Sequence, residues 1–305
     1  MENLFSNKTI DFLKSELENF EEIVSVIKPS SGNLPDLKGF DIFGESIPLN
    51  GVAGGDHIIY IDFNKRYDLE KRIEEAKRIK EFNVAKNLEN MKNRAGILIS
   101  DVSGHKITDA VLAAMLHQAF LTGILYELTS NGEITHKLFE NINSRFYRSS
   151  SFSRFITMIY GEILLDGTFR FINAGHPPPV IFSGEKERLW RISQDKIVNF
   201  PPIGTIPSQD DPDLRKNFSR FGYKKRYSIN SIKLMHKCDI LILYTDGLLE
   251  HGIEEGEPYF HNKMEKFLSS VKKKSAKEIG KLLKENILSH SEPGDDISYV
   301  LIKKI

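Results

Sequence analysis

Leu98-Ile99-Ser100-Asp101-Val102-Ser103-Gly104-His105 is an apolar run that ends on an aspartate and then turns. From Ala95 to Ser100 the chain is apolar or small, which predicts a buried strand. Ser103-Gly104 breaks it, and a long apolar helix pattern follows, with Thr108 or Asp109 as its cap. The strand therefore delivers a carboxylate to its own C-terminal end. A buried charge without a partner is costly, so Asp101 is either paired with a cation or holds a metal. Other carboxylates brought to the same place would decide between the two.

Composition sets the frame. The 305 residues carry 42 Lys and Arg against 42 Asp and Glu, and 40% are hydrophobic, so a sizeable core is available. A zero net charge gives no argument for nucleic acid or an anionic membrane as partner. The single cysteine, Cys238, excludes an internal disulfide and fits a reducing compartment. The N-terminus lacks a basic segment followed by an apolar run, and no stretch of about 18 apolar residues is apparent. A soluble, cytoplasmic protein is expected.

Outward from the central strand, Ile10, Leu13, Leu17, Phe20, Val24 and Ile27 alternate spacings of three and four, which predicts an amphipathic helix over 6–28. It either packs on its own domain or forms a homodimer or signal-transmitting contact. Residues 1–31 are taken as this helix and a linker, and 32–305 as one domain. Phe40 to Ser46 and His57 to Phe63 read as strands, and between them Gly54-Gly55 precedes Asp56. Residues 64–94 are dense in Lys, Arg and Glu and read as one or two exposed helices inserted between strands, a solvated decoration or a partner-binding arm. Ala110 to Leu128 and 135–147 read as helices, the first apolar on nearly all sides. Asp166-Gly167 joins two strands as a hairpin, and Ala174-Gly175-His176-Pro177-Pro178-Pro179 is a rigid turn before the strand Val180 to Phe182. Residues 205–233 read as loop, Ile240 to Tyr244 as strand, 261–272 and 275–289 as helices, and Ile297 to Ile302 as the last strand. Hairpin-joined strands with paired helices point to an α+β layered sandwich.

Four acidic positions share one context. Asp56 follows Gly-Gly and opens a strand; Asp101 ends a strand; Asp246 ends a strand and precedes glycine; Asp295-Asp296 follows Pro-Gly and opens a strand. Carboxylates about 4 Å apart repel by roughly 4 kcal/mol per pair at an effective dielectric of 20. A half-buried cluster of them needs cations, and an all-oxygen set selects magnesium or manganese over zinc. Two such ions can activate a water and clamp a phosphoryl group.

Asp101-Val-Ser-Gly-His, Asn173-Ala-Gly-His-Pro-Pro, Tyr244-Thr-Asp-Gly-Leu-Leu-Glu and Gly294-Asp-Asp-Ile-Ser resemble the signature blocks of the bacterial stage II sporulation E-like (RsbU-like) serine phosphatases, a branch of the metal-dependent protein phosphatase 2C superfamily. Gly54-Gly55-Asp56 resembles their first metal block, and the blocks occur in the family's order. The resemblance implies a β-sandwich of two mainly antiparallel sheets flanked by helices, with two manganese or magnesium ions at one edge. Carried over by position, Asp56 and Asp101 ligate metal, the Val102 carbonyl assists, and Asp246 and Asp295 complete the site. Asp296 stands where the superfamily often has asparagine and ranks second. The implied substrate is a phosphoserine or phosphothreonine on a small anti-sigma-factor antagonist (STAS) protein, within a partner-switching pathway.

Departures are local. Lys106 follows the histidine where the family usually has glycine, and Ile59 stands where it often has a further aspartate, the next being Asp62. The insert at 64–94 is longer than the usual hairpin, and Cys238 replaces a common glycine, a change expected to affect turn shape. His57, His105 and His176 lie near the blocks, but their spacing matches no zinc pattern. His176 is expected to brace a turn. Two other functions stay open: a non-catalytic scaffold that binds a signalling partner, and a hydrolase of a small phosphate ester.

Overall fold

Strand alternation decides which side chains meet. In Arg94–Val102, Ile97 and Ile99 face one way, and Leu98 and Val102 the other, yet all four are fully buried. Such a strand must be covered on both faces, so it lies inside a layered structure. The computed structural model shows this, and describes residues 7–27, 31–49, 54–103, 107–149, 155–213, 219, 221–234, 236–253, 256, 258–260 and 262–305.

In chain order the strands are β1 Phe40–Ile47, β2 His57–Asp62, β3 Arg94–Val102, β4 Ile156–Leu164, β5 Thr168–Ala174, β6 Val180–Ser183, β7 Arg188–Arg191, β8 Asn199–Phe200, β9 Asn230–Lys233, β10 Ile240–Tyr244 and β11 Ile297–Lys304. The helices are α1 Asn7–Ile27, α2 Phe63–Arg66, α3 Leu69–Arg78, α4 Phe82–Met91, α5 Ile107–Ser130, α6 His136–Ser149, α7 Asp246–Glu250, α8 Asn262–Val271 and α9 Ala276–Leu288. One sheet has the order β1-β11-β10-β6-β7; the other runs β2-β3-β4-β5-β8, with β9 also on β5. All pairings are antiparallel except the short β5–β8 contact.

Three apolar layers follow from this alternation. Ile58, Tyr60, Ile97, Ile99, Leu241, Leu243, Val300 and Ile302 fill the space between the sheets. Leu98, Val102, Met158 and Ile172 turn outward onto α3–α6, and Ile242, Tyr244, Tyr299 and Leu301 onto α8 and α9. The expected α+β sandwich is the observed fold. A Ser275–Glu278 capping box starts α9, satisfying the amides of its first turn.

Several expectations are corrected. The insert is not a solvated decoration: Leu69, Ile73 and Ala76 of α3 and Val84, Ala85, Leu88 and Met91 of α4 are buried in the core beside α5. Its charges occupy only the outer face. The strand β9 lies within a stretch read as loop, and β7 and β8 are further short strands. Asp109–Ser130 is long and apolar enough to cross a membrane, contrary to expectation. Here it is a core helix: Ala113, Leu116, Phe120, Ile124 and Leu128 are fully buried, while Met115, Leu125 and Tyr126 are exposed. Helix α1 lies against α5, yet its seam residues Ile10 and Leu13 remain exposed.

Candidate active site

The acidic positions meet because each lies at, or just beyond, a strand end on the two facing sheets. Asp101 continues the Ile97–Ile99 face of β3, toward the opposite sheet. Asp56 immediately precedes β2, and Asp296 immediately precedes β11. Asp246 opens α7 directly after β10. The carboxylates thus gather at one rim of the inter-sheet space.

Their charges register one another. Burial, then the carboxylates of Asp246, Asp295, Asp296 and Asp109, push Asp101 up from 3.8 to about 7. Asp56, only 2% exposed, is raised by burial first and by Asp101 next. The hydroxyls of Ser298 and Thr245 act against that rise; Thr245 Oγ1 donates to Asp56 Oδ2 at 2.8 Å. Asp246 is raised by burial, then by Asp295 and Glu250. No hydrogen bond holds the Asp101 carboxylate among the described residues, and the influences that raise it include no compensating cation.

Asp296 is used differently. Its Oδ1 accepts from Leu49 N and its Oδ2 from Gly55 N, both at 2.7 Å. The carboxylate thereby anchors the segment that leads into Asp56. Gly54 permits this approach: a Cβ there would stand 1.9 Å from Asp296 Oδ2. Gly247 has the same logic, since its Cβ would fall 2.1 Å from the Asp296 carbonyl oxygen. Asp295 Oδ1 in turn accepts the Asp296 amide at 2.6 Å. The glycines beside the acidic residues are therefore places of close backbone approach.

The donor set is oxygen-only and anionic, which matches a hard divalent cation. Among the described residues, no three His, Cys, Asp or Glu side chains stand close enough as placed to hold an ion. Charge and position fit a metal; the side chains are not drawn in around one.

Some participants lay outside the sequence reading. Asp109, 1% exposed in the first turn of α5, acts on Asp101 although it was read only as a cap. Thr245 and Ser298 carry no signal beyond being small and polar. His57 Nε2 meets His117 Nδ1 of α5 at 2.7 Å in the core, while His176 is held elsewhere, against Thr157. Burial, then Arg66, lowers His117 to about 4, so it stays neutral. Ile59 is a core residue, and Asp62 caps α2 by accepting from Lys65 N. The expectations for His105 and Lys106 lie outside the described residues.

Known proteins share this fold. The profile of the stage II sporulation protein E (SpoIIE) family matches residues 91–304. The phosphoserine phosphatase RsbP of Bacillus subtilis (strain 168) is 30% identical over 162 residues, 52% of this chain and 34% of RsbP. The chain therefore spans about a third of that relative's length. The SiaA-PP2C domain of Pseudomonas aeruginosa superposes with a TM-score of 0.63 at 14% identity, covering 95% of this chain and 98% of that one. The RsbU and RsbW domains of a Mycobacterium tuberculosis protein give 0.58 at 20% identity, covering 89% and 61%. At these identities the structural likeness is one of fold, and that fold is the protein phosphatase 2C-like sandwich. With the profile matching 91–304 and the signature carboxylates gathered at one rim, the chain belongs to the stage II sporulation protein E family.

Proposed function

We propose that this chain is a metal-dependent serine/threonine protein phosphatase that removes phosphate from a phosphoserine or phosphothreonine of a regulatory protein. The observation that carries it is the rim where Asp101, raised to about 7, faces Asp246, Asp295 and Asp296. A phosphate monoester is itself anionic, so such a rim would repel it unless cations intervene. Asp56, Asp101, the Val102 carbonyl, Asp246 and Asp295 would hold two manganese or magnesium ions. Asp296, whose two oxygens already accept amides, would contribute second and chiefly hold the loop before Asp56. When bound, the ions supply the charge that stabilises the phosphoryl group in flight and activates water for attack. The residues' own part is to fix that charge on two rigid sheets.

Residues 32–305 would form the catalytic unit and 1–31 its amphipathic helix and linker. The proposed substrate is a phosphorylated STAS-domain protein in a partner-switching pathway of the cytoplasm, supported by the likeness to RsbP and to a structure that joins RsbU and RsbW domains. A second copy would pack on α1, where Ile10 and Leu13 are exposed; a purely monomeric mass in sedimentation removes that contact.

The test is turnover of p-nitrophenyl phosphate with and without manganese, then of a phosphorylated STAS protein. Wild type should be active on the phosphoprotein only with metal, and Asp101→Asn and Asp246→Asn should abolish this while remaining folded. Full activity in both variants would falsify the proposal. Turnover of the small ester alone would favour an ester hydrolase, and phosphoprotein binding without turnover a scaffold.

A further inference from the structure

Among the buried polar groups at the rim, His176 has no assigned task. It is 1% exposed. Its turn is braced by main-chain atoms: His176 N donates to Asn173 Oδ1 and Asn173 Nδ2 donates to the His176 carbonyl, each at 2.9 Å. Any residue but proline at 176 would keep those bonds, so the imidazole is not needed for the turn.

The imidazole instead reaches both sheets. Nδ1 lies 2.9 Å from Thr157 Oγ1, and Thr157 is the residue paired with Asp101 across the β3–β4 ladder. Nε2 is buried and closes no hydrogen bond among the described residues; the ring lies beside the backbone of Tyr244, two residues before Asp246. One side chain thus spans from the strand pair that carries Asp101 to the strand that delivers Asp246. Burial holds the ring neutral, lowering it to about 3, so it is no counter-ion for the carboxylates. A neutral ring with its proton on Nε2 can accept from the Thr157 hydroxyl and donate toward the Tyr244 carbonyl at once.

We propose that His176 is a positioning residue, a neutral strut between the two sheets that sets the separation of Asp101 from Asp246. The inference rests on the proposed metal site, and the strut itself is open to a test in metal-free protein. Groups that orient metal ligands from behind change affinity by roughly tenfold or more when removed.

The experiment uses the full chain with His176→Leu, His176→Asn and Thr157→Val. The asparagine amide can reach the place of Nδ1, whereas leucine fills the volume without polar atoms. Manganese affinity is read by calorimetry, and amide exchange at Asp101 and Tyr244 in metal-free protein. His176→Leu should weaken manganese binding by about tenfold or more and speed exchange at both amides. Thr157→Val should do the same in part, His176→Asn should recover part of the affinity, and the Leu/Val double variant should be no worse than His176→Leu. Should His176→Leu not fold, Thr157→Val and His176→Asn carry the comparison. Manganese affinity within twofold of wild type in the variants, with unchanged exchange, overturns the strut. A wild-type chain that binds no manganese overturns the metal reading, and the exchange result then still decides whether the imidazole couples the sheets.

Discussion

Replacing Asp101 by asparagine should make the metal-free protein more stable, although it removes a proposed metal ligand. Asp101 stands at about 7 in the fold against 3.8 without it, because burial and four carboxylates oppose its charge. A carboxylate raised in this way favours the folded state where it is protonated. The favourable term is full below about 3.8 and disappears as pH rises through about 7. At pH 8 the ionised group costs the metal-free fold about 4 kcal/mol, from roughly three pH units at about 1.4 kcal/mol each. Partial exposure and relaxation reduce this to about 2–4 kcal/mol. Asparagine has the same shape and no charge, and no described hydrogen bond is lost with the carboxylate.

The assay is thermal unfolding at pH 8 in chelator, repeated in manganese and at pH 4. In chelator Asp101→Asn should melt about 3–6 °C above wild type. The gap should close as pH falls toward 4, because the wild-type group is then protonated. Manganese should raise the wild type and leave the variant little changed, since a cation converts the same repulsion into binding. A variant that melts below wild type in chelator at pH 8, or an equal manganese effect on both, refutes the charge-cluster reasoning. This readout is independent of phosphatase activity.

The same chemical change should have the opposite sign at Asp296. In Asp296→Asn one carboxylate oxygen becomes an NH2 group facing a backbone N–H of Leu49 or Gly55, which should destabilise the fold by about 1–3 kcal/mol in urea titration; a variant as stable as wild type would remove the anchoring role. Cys238 holds φ +68°, a region that costs most side chains. Cys238→Gly should raise the urea midpoint by the equivalent of about 0.5–1 kcal/mol, the relief of strain being partly offset by a freer unfolded chain; a lowered midpoint would mean that the thiol packs favourably.

The legible parts of this chain are those where a local pattern has one physical solution. An apolar run ending in Asp101, a glycine after Asp246 and a Pro-Gly before Asp295 place carboxylates at strand ends whatever the topology. The glycine-to-cysteine departure at 238 likewise predicted a turn effect, and the positive φ is its form. The insert was misread because charge density is an average over a helix, whereas burial depends on one stripe. Leu69, Ile73 and Ala76 are spaced four and three apart, enough for a face that packs on the core. Short strands β7 to β9 carry too few residues for alternation to show. Partners distant in sequence, such as His57 with His117 or Asp109 with Asp101, have no local signature.

Asp295 and Asp296 show where such reading stops and geometry takes over. Both precede β11, which starts at Ile297, so no strand pleat orients them. Asp296 accepts the amides of Leu49 and Gly55, on the approach to Asp56. Asp295 raises both Asp101 and Asp246, and Asp296 adds to Asp101 and Asp56. Because Asp296 organises the backbone that presents Asp56, its removal should loosen a ligand on another strand. Because Asp295 faces the carboxylates directly, its removal should relieve them. Two adjacent aspartates thus serve one rim differently: both add charge beside Asp101, and Asp296 also holds two backbone amides.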